Sequence, residues 1–327
     1  MMHDQRLIGS YTGAEKGPLL LIFGGMHGNE PAGVQAMQLL FKMLEVEPIT
    51  NPHFRFCGRL VGIRGNLRAL QENTRFLDKD LNRQWIPEHI ERIKSMDRKE
   101  LKNEDLEILE VLDVIERERR HYQPDLTVVL DIHTTTAYGG IFSIATDEHE
   151  SVQMAIELHA PVITGMLKGI KGTSLHYFNS QNFPPKTIPV VFEAGQHREA
   201  LSVNRAIAAI INCMRTIGCV QSEDVENRHD SLLLEYSKGL PKVAELLSIH
   251  SIEAGDQFEM EPGYSNFQAV AKGELLAHDQ HGPIYAEEDG LVLMPLYQKQ
   301  GDDGYFLVRE VAPEKWESKK QPQVAEK

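Results

Sequence analysis

Short runs of apolar residues alternate with longer amphipathic stretches along the first two thirds of the chain. The runs at 19–23, 126–130 and 188–192 are built mainly from Leu, Ile, Val and Phe. Continuous apolar runs of this length are typical of strands that are buried on both faces. The stretches 31–46 and 198–217 instead carry apolar residues at helical spacing. Strands that alternate with helices predict an α/β fold with a largely parallel (mixed) central sheet covered by helices.

The pattern changes in the last third of the chain. Short β-like runs, such as 246–252 and 305–308, are separated there by Gly, Pro and Asp residues that favour turns. The 327 residues are enough for two domains. We therefore predict an α/β domain over 1–228, a smaller β-rich C-terminal domain over 229–313, and a polar tail over 314–327.

Composition and charge narrow the classes of partner. Acidic residues outnumber basic ones by 48 to 34, and the formal net charge is -14, which argues against binding to nucleic acid or an anionic membrane. No run reaches the roughly 18 apolar residues of a membrane span, and the N-terminal apolar stretch is too short for a signal peptide. We expect a cytoplasmic protein; whether it forms a homo-oligomer is left open.

A charged stretch and the cysteines give two further expectations. Residues from about 88 to 122 are rich in charge and helical in pattern, so we expect a helical surface that faces solvent.

The three cysteines form no Cys-x-x-Cys pair. A disulfide framework and a thiolate metal site are therefore not expected, and any metal is expected on His and carboxylate side chains.

The segment 24–33, Gly-Gly-Met-His-Gly-Asn-Glu-Pro-Ala-Gly, carries the strongest functional signal. It follows a predicted strand and precedes a predicted helix, the position where open α/β sheets bind ligands. His27 and Glu30 lie three residues apart, and His133 closes a second apolar strand. Two His and one Glu leave one position of a zinc ion free for water, as in catalytic sites. A His-x-x-Glu pair often arises by chance, so spacing alone does not decide the matter.

Four segments, in one order along the chain, resemble the motifs of the succinylglutamate desuccinylase/aspartoacylase family, relatives of the zinc carboxypeptidases. They are Gly-Met-His-Gly-Asn-Glu at 25–30, Asn-Thr-Arg-Phe-Leu-Asp-Lys-Asp-Leu-Asn-Arg at 73–83, Asp-Ile-His-Thr-Thr at 131–135 and Phe-Glu-Ala-Gly at 192–195. The resemblance implies a central sheet of the zinc-carboxypeptidase type and one Zn²⁺ per chain. It also implies hydrolysis of the amide bond of a small N-acyl amino acid.

The resemblance also implies roles for single residues. Glu193 matches the glutamate that takes a proton from the attacking water, and Arg75 matches the arginine that polarises the scissile carbonyl. Asn82 and Arg83 match residues that bind a substrate carboxylate. Without the resemblance, Glu193 could equally be a helix-capping carboxylate, and the two arginines could be ordinary surface residues.

The chain departs from the family pattern at the residues that select the substrate. Members that act on acetylaspartate carry another arginine shortly before the catalytic glutamate, but residues 182–187 contain none. Lys186 is the only candidate substitute there, and a lysine at such a position is usually exposed. A tyrosine from the second domain closes over the site in the family; Tyr297 is the best match and Tyr285 a rival. His197, four residues after Glu193, could contact the substrate or face solvent, and of the two the solvent-facing position is expected.

Two alternatives to a deacylase follow from the same residues. A zinc carboxypeptidase that cleaves small peptides would use the same chemistry, and an open groove would favour it over a deacylase. A metal-binding protein without turnover could keep the same scaffold, although such a protein would need neither Glu193 nor Arg75.

Overall fold

The computed structural model describes residues 5–224, 228–253 and 255–312. The predicted polar tail at 314–327 lies outside the described residues. None of the described helices is long and apolar enough to cross a membrane.

Strands and helices alternate along the first two thirds of the described chain, whereas strands dominate its last third. The strands are β1 (Leu7–Thr12), β2 (Glu15–Gly24), β3 (Cys57–Arg64), β4 (Thr127–Thr135), β5 (Phe142–Ala145), β6 (Val162–Thr164), β7 (Thr187–Gln196), β8 (Val243–Ser251), β9 (Glu259–Met260), β10 (Gln268–Val270), β11 (Leu275–Asp279), β12 (Gly282–Tyr285), β13 (Gly290–Leu293) and β14 (Asp303–Glu310). The helices are α1 (Ala32–Thr50), α2 (Leu67–Glu72), α3 (Pro87–Ser95), α4 (Asn103–Tyr122), α5 (His149–Ile156), α6 (Ser174–Tyr177), α7 (Leu201–Thr216) and α8 (Arg228–Tyr236), with short 3-10 helices at Leu81–Arg83, Met166–Lys168 and Ser222–Asp224.

Eleven of these strands form one mixed sheet in the order β1-β3-β2-β4-β7-β5-β6-β8-β14-β13-β10. The pairs around β2, β4 and β7 are parallel, whereas β1 with β3 and β5 with β7 are antiparallel. The predicted fold class is therefore confirmed: a largely parallel, mixed central sheet precedes a β-rich C-terminal region.

Helices cover both faces of the central strands, which explains why the apolar runs of those strands are continuous rather than alternating with polar residues. Leu20, Ile22 and Leu130 pack with residues of α1 and α7 on one face. Leu21 and Phe23 pack with residues of α3 and α4 on the other face. Successive side chains of a strand point to opposite faces, so the part of a strand between two helix layers must be apolar on both faces.

The C-terminal region continues the central sheet. β8 pairs in parallel with β6, where Val162 lies opposite Val243, and β14, β13 and β10 extend the sheet from there. β9, β11 and β12 form a separate three-stranded sheet. The division into domains at 228 and 229 stays a prediction.

The charged stretch that was expected to face solvent does so only in part: Glu91, Arg92 and Glu116 are exposed, but several acidic residues of its second helix are buried. It forms α3 and α4, and Glu104 and Glu107 of α4 are fully buried. Arg6, which is also fully buried, lies 2.5 Å from Glu107 and 2.6 Å from Glu110. These acidic residues face the sheet because buried arginines and backbone N–H groups on that side need acceptors.

Candidate active site

The predicted ligands lie together at the carboxyl edge of the sheet. His27 follows the end of β2, and His133 lies close to the end of β4. Glu193 of β7 lies directly opposite His133 in the parallel pairing of the two strands. Parallel strands end at the same edge, so residues that are distant in sequence converge there.

His27, Glu30 and His133 form a buried cluster of potential metal ligands. The Nδ1 atom of His27 lies 2.8 Å from Glu30 Oε1, and the Nδ1 atom of His133 lies 3.1 Å from Glu30 Oε2. One ligand atom from each residue lies within 4.8 Å of the others, and the three residues are at most 4% exposed. The backbone N–H of Thr134 also donates to Glu30 Oε2, which fixes the carboxylate.

Two further carboxylates lie beside the histidine rings. His27 Nε2 is hydrogen-bonded to Asp80 Oδ1 at 3.1 Å, which fixes the tautomer and leaves Nδ1 free to bind a metal. His133 Nε2 lies 3.1 Å from Asp131 Oδ2 without hydrogen-bond geometry, so this carboxylate contributes charge to the ring rather than a fixed hydrogen bond. The hydroxyl of Ser174 donates to the same Asp131 oxygen.

This donor set fits a zinc ion. Tetrahedral zinc with bonds near 2.0–2.1 Å separates its ligand atoms by about 3.3 Å, close to the spacing between Glu30 and the two Nδ1 atoms. Burial raises the pKa of Glu30, but the charges of His27 and His133 outweigh it and hold the pKa well below its usual range. Burial lowers the pKa of His133, but Asp131 and Glu30 hold it well above its usual value. A metal that binds at His133 therefore displaces a proton.

The loop that carries Arg75 is held against the ligand turn. Gly28 donates its N–H to the carbonyl of Arg75, and a Cβ on Gly28 would lie 2.1 Å from the backbone of Ala69. A side chain at this position would therefore push the ligand turn away from α2, which precedes the Arg75 loop. The loop that carries Arg75 is also held by α4, because the buried Glu104 of that helix accepts hydrogen bonds from the backbone N–H groups of residues 77–79.

Asp80 connects Arg75 to the ligand cluster. Arg75 donates to Asp80 Oδ2 through Nε at 3.2 Å and Nη2 at 2.9 Å, and its Nη1 lies 3.6 Å from Glu30 Oε1. Burial raises the pKa of Asp80, but Arg75 and His27 outweigh it and hold the pKa well below its usual range. Asp80 is therefore an anion that positions one ligand ring and one arginine together.

Asn82 and Arg83 line the same cavity as the ligands. Asn82 Oδ1 accepts a hydrogen bond from the backbone N–H of Ser174, which leaves the amide nitrogen as a donor for a ligand. Arg83 donates through Nη1 to the Asn82 carbonyl and through Nη2 to Asp303, the latter at 2.5 Å. Asp303 begins β14, so the C-terminal region supplies a charged partner to the site.

Glu193 has the environment of a proton-transfer group. The residue is 6% exposed, and its Oε2 atom is buried without a hydrogen-bond partner. Burial raises the pKa of Glu193 to about 8; Glu30 and Asp131 act in the same direction, while His133 and Arg75 oppose them. An unpaired buried carboxyl is unfavourable, and such groups concentrate at functional sites.

The cavity above these residues is lined from both parts of the chain. His197 lies on its wall and is hydrogen-bonded through Nδ1 to Thr134, rather than facing solvent as expected. Gln298 reaches the cavity from the C-terminal region and accepts a hydrogen bond from Asn29.

Three residues considered from sequence do not line this cavity. The hydroxyl of Tyr297 donates to the carbonyl of Glu261 at 2.9 Å and accepts from the N–H of Tyr264, which turns it away from the ligand cluster. Tyr285 is 50% exposed in β12. Lys186 lies at the opposite end of β7 and pairs with Glu150.

Sequence reasoning did not single out Asp80, Asp303 or Gln298. Asp80 lies within the 73–83 segment, and an acid between two candidate arginines was a usable signal. Asp303 follows Arg83 by 220 residues, and no local pattern indicates the pairing. Gln298 adjoins Tyr297 in the sequence, and of the two it is Gln298 that lines the cavity.

The fold and the site together define an α/β protein with a candidate metal centre beneath a cavity that polar and apolar side chains line together. The model of the succinylglutamate desuccinylase/aspartoacylase catalytic domain matches residues 16–217. A succinylglutamate desuccinylase from Pseudoalteromonas atlantica is 23% identical over 276 residues, which cover 83% of this chain and 75% of that protein. A probable aspartoacylase from a Nostoc species is 31% identical over 120 residues, 37% of this chain and 36% of that protein.

Solved structures share the fold at low sequence identity. The product-bound ectoine utilization protein EutE (DoeB) from Ruegeria pomeroyi has a TM-score of 0.62 and 19% identity, covering 92% of this chain and 87% of that one. A succinylglutamate desuccinylase/aspartoacylase from Rhodobacter sphaeroides has a TM-score of 0.60 and 17% identity, with coverages of 91% and 87%.

The chain belongs to the succinylglutamate desuccinylase/aspartoacylase family, because the family's catalytic-domain model matches more than half of its length. The family's name describes hydrolases. The family prediction is thus confirmed, and all four motifs lie within the matched range.

Proposed function

We propose that this protein is a zinc-dependent deacylase that hydrolyses the amide bond of an N-acyl amino acid. The observation that carries the proposal is the buried, unpartnered Oε2 of Glu193, which lines the same cavity as His27, Glu30 and His133. A protein that only stores a metal needs no unpaired carboxyl beside the ligands.

His27, Glu30 and His133 would hold the ion, Asp80 would orient the ring of His27, and Asp131 would add charge beside the ring of His133. A zinc ion in such a site supplies Lewis-acid chemistry: it polarises a carbonyl oxygen and acidifies water. Positive charge near Glu193 also lowers the pKa of its carboxyl, which favours the form that accepts a proton.

Glu193 would accept a proton from the attacking water and then donate it to the leaving amine. Its unpartnered oxygen is available for both transfers, and the absence of competing hydrogen-bond donors leaves this oxygen free to face the substrate. The apolar strand before it, residues 188–192, excludes bulk water from one side.

Arg75 would stabilise the negative charge that develops on the carbonyl oxygen. Two nitrogens of the guanidinium, Nε and Nη2, donate to Asp80, and the third, Nη1, lies 3.6 Å from Glu30 Oε1. The guanidinium is therefore positioned before substrate binds. Pre-oriented donors of this kind lower the barrier without further reorganisation.

Arg83 and Asn82 would bind the carboxylate of the amino acid. The Arg83 guanidinium retains N–H groups beyond the two that bind Asn82 and Asp303, and a carboxylate matches their planar geometry. Tyr297, predicted to close the site, is not included, because its hydroxyl is bound to backbone atoms of the C-terminal region.

The shape of the cavity favours a deacylase over a carboxypeptidase. Leu296, Asp303 and Phe306 of the C-terminal region form part of its wall, which limits the room for an extended peptide. The alternatives are thus a small-peptide carboxypeptidase and a metal-binding protein without turnover.

A hydrolysis screen separates these three. The zinc-loaded protein is incubated with N-acetyl and N-succinyl amino acids and with short peptides, and the release of free amines is measured with and without a chelator. We expect deacylation that the chelator removes and added zinc restores. Release of C-terminal residues from peptides alone would indicate the carboxypeptidase, and no hydrolysis at all would indicate the metal-binding protein.

A further inference from the structure

The cavity has two chemically different sides. One side carries the ligand cluster, Glu193 and the two arginines. The other side is an apolar wall. Strands β5, β7 and β14, helix α6 and the 3-10 helix at Met166–Lys168 with its following loop contribute to it. The wall comprises Ile144, Met166, Ile170, Leu175, Val191 and Phe306. The wall residues belong to a core cluster between the α/β part and the C-terminal region, so packing keeps the wall in place.

The apolar wall begins directly beside the candidate catalytic residue. Val191 precedes Glu193 by two residues, so both side chains lie on the same side of β7. Ile144 lies opposite Val191 in the antiparallel pairing of β5 and β7. A substrate whose amide bond lies near Glu193 therefore extends along a surface without charge.

The cavity offers few positively charged side chains to a substrate. Among the described residues that line it, the permanently cationic ones are Arg75 and Arg83. Arg75 is paired with Asp80 and Arg83 with Asp303, and Asp302 adds another acidic residue to the wall. A substrate with two carboxylates would leave one of them without a free cation, and an unpaired buried carboxylate is strongly unfavourable.

We propose that the site selects N-acyl amino acids that carry a single carboxylate and an apolar side chain or apolar acyl group, rather than dicarboxylic substrates. The inference rests on the proposed function, since it concerns the substrate of the same site. Arg83 and Asn82 bind the carboxylate, the apolar wall contacts the apolar group, and Asp303 reduces the capacity of Arg83 for a second carboxylate.

The test compares substrates of matched shape. The zinc-loaded protein is assayed with N-acetylleucine and N-acetylaspartate, whose side chains branch at the same carbon, and with N-(4-methylpentanoyl)glycine and N-succinylglycine, whose acyl chains also branch at the same carbon. We expect kcat/KM to be at least about tenfold higher for the apolar member of each pair, since a few buried methyl groups give this much discrimination. The pair with the larger difference shows whether the wall binds the side chain or the acyl group. Equal or higher values for the dicarboxylic members of both pairs would overturn the proposal.

Failure of the proposed function is recognised separately. If no member of the panel is hydrolysed, the deacylase assignment fails. The Kd values of the same four compounds, measured by calorimetry, then still decide the selectivity: tighter binding of the apolar members supports it, and tighter binding of the dicarboxylic members overturns it.

The Asp303→Asn variant tests the ion pair. Removing this charge releases Arg83, so the ratio of kcat/KM for N-acetylaspartate to that for N-acetylleucine should rise about tenfold. Because the kcat/KM values for both substrates fall equally when less protein is folded, their ratio is insensitive to a general loss of folded protein. Asp125→Asn is the matched control, because the Asp125 side chain is 95% exposed, and its ratio should not change. An unchanged ratio in Asp303→Asn would refute the role of the pair.

Discussion

Two buried ionic clusters in this protein differ in their charge balance. The Arg6 cluster, made of Arg6, Arg68, Glu107 and Glu110, lies between α4, α2 and the end of β3 and contains two positive and two negative side chains, with the half-exposed Arg98 at its edge 3.4 Å from Glu110. Both arginines contact both glutamates, and Arg6 also donates to adjacent backbone carbonyls. This cluster lines no part of the cavity over the ligand residues.

The cluster at the carboxyl edge of the sheet is unbalanced. Around His27 and His133 it holds four carboxylates, Glu30, Asp80, Asp131 and Glu193, but Arg75 is the single arginine that contacts it among the described residues. If both histidines were neutral and all four carboxyls ionised, the carboxylates would exceed the arginine by three negative charges, and a divalent cation would offset most of them. Without a bound cation, the raised pKa values of His133 and Glu193 reduce the same excess by protonation. Buried charge alone therefore does not mark a functional site here, whereas a surplus of carboxyl groups that needs protons or a cation does.

Glu193→Gln should have the largest effect on activity of the substitutions considered. Because the residue belongs to the unbalanced cluster, the change should affect catalysis and leave the Arg6 cluster intact. The amide cannot accept the proton, so we expect kcat to fall by about 10²–10⁴-fold, while bound zinc, measured by mass spectrometry, is retained. Glu150→Gln, at an exposed glutamate, is the control and should keep full activity. Loss of zinc in parallel with activity would show that Glu193 supports the ligands instead.

Glu107→Gln should affect stability because it breaks the balanced cluster. Glu107 neutralises Arg6 and accepts the backbone N–H groups of Leu67 and Arg68, so we expect the free energy of unfolding in urea to fall by about 3–5 kcal/mol. Zinc bound per folded molecule should stay the same. A loss of stability below about 1 kcal/mol would contradict the account of the Arg6 cluster as a structural ion-pair layer.

Asp80→Asn should weaken zinc binding without removing a ligand. The amide no longer fixes the His27 ring through a charged acceptor, so we expect the Kd for zinc to rise about 10–100-fold in a competition with a chelator. Asp78→Asn, at an exposed position of the same loop, should leave the Kd unchanged. Equal Kd values in the two variants would exclude an orienting role for Asp80.

Arg83→Ala should have the smallest effect of the series. Losing one charge-assisted contact to the substrate should raise KM about tenfold with little change in kcat. Arg92→Ala, on the exposed side of α3, serves as the control. If KM stayed the same and kcat fell, Arg83 would act on the reacting atoms rather than on the carboxylate.

The sequence predicts those parts of this molecule that depend on neighbouring residues. The runs that form β2, β4 and β7 are apolar because helices cover both faces, and the ligands follow them directly. For that reason the amino-acid pattern alone places His27, His133 and Glu193 at strand ends. Their convergence needs only that parallel strands end at one edge.

Pairings between distant residues could not be predicted. Nothing near Arg83 in the sequence indicates Asp303, and nothing near Arg6 indicates that the acidic residues of α4 face inward. Helical spacing was correct for α4, but the buried face of that helix carries acidic residues beside apolar ones, so charge was mistaken for exposure. Tyr297 was chosen by residue type, whereas its hydroxyl is held by carbonyl groups of a distant loop.

The pairing of β6 with β8 limits how this protein can admit a substrate. Hydrogen bonds between these strands join the two parts of the chain into one sheet, so a hinge that swung the C-terminal part outward would have to break them. Because breaking these hydrogen bonds is unfavourable, we expect substrate to enter and product to leave through movements of side chains and loops at the opening of the cavity. Cross-linking the two parts on the surface should therefore leave turnover intact.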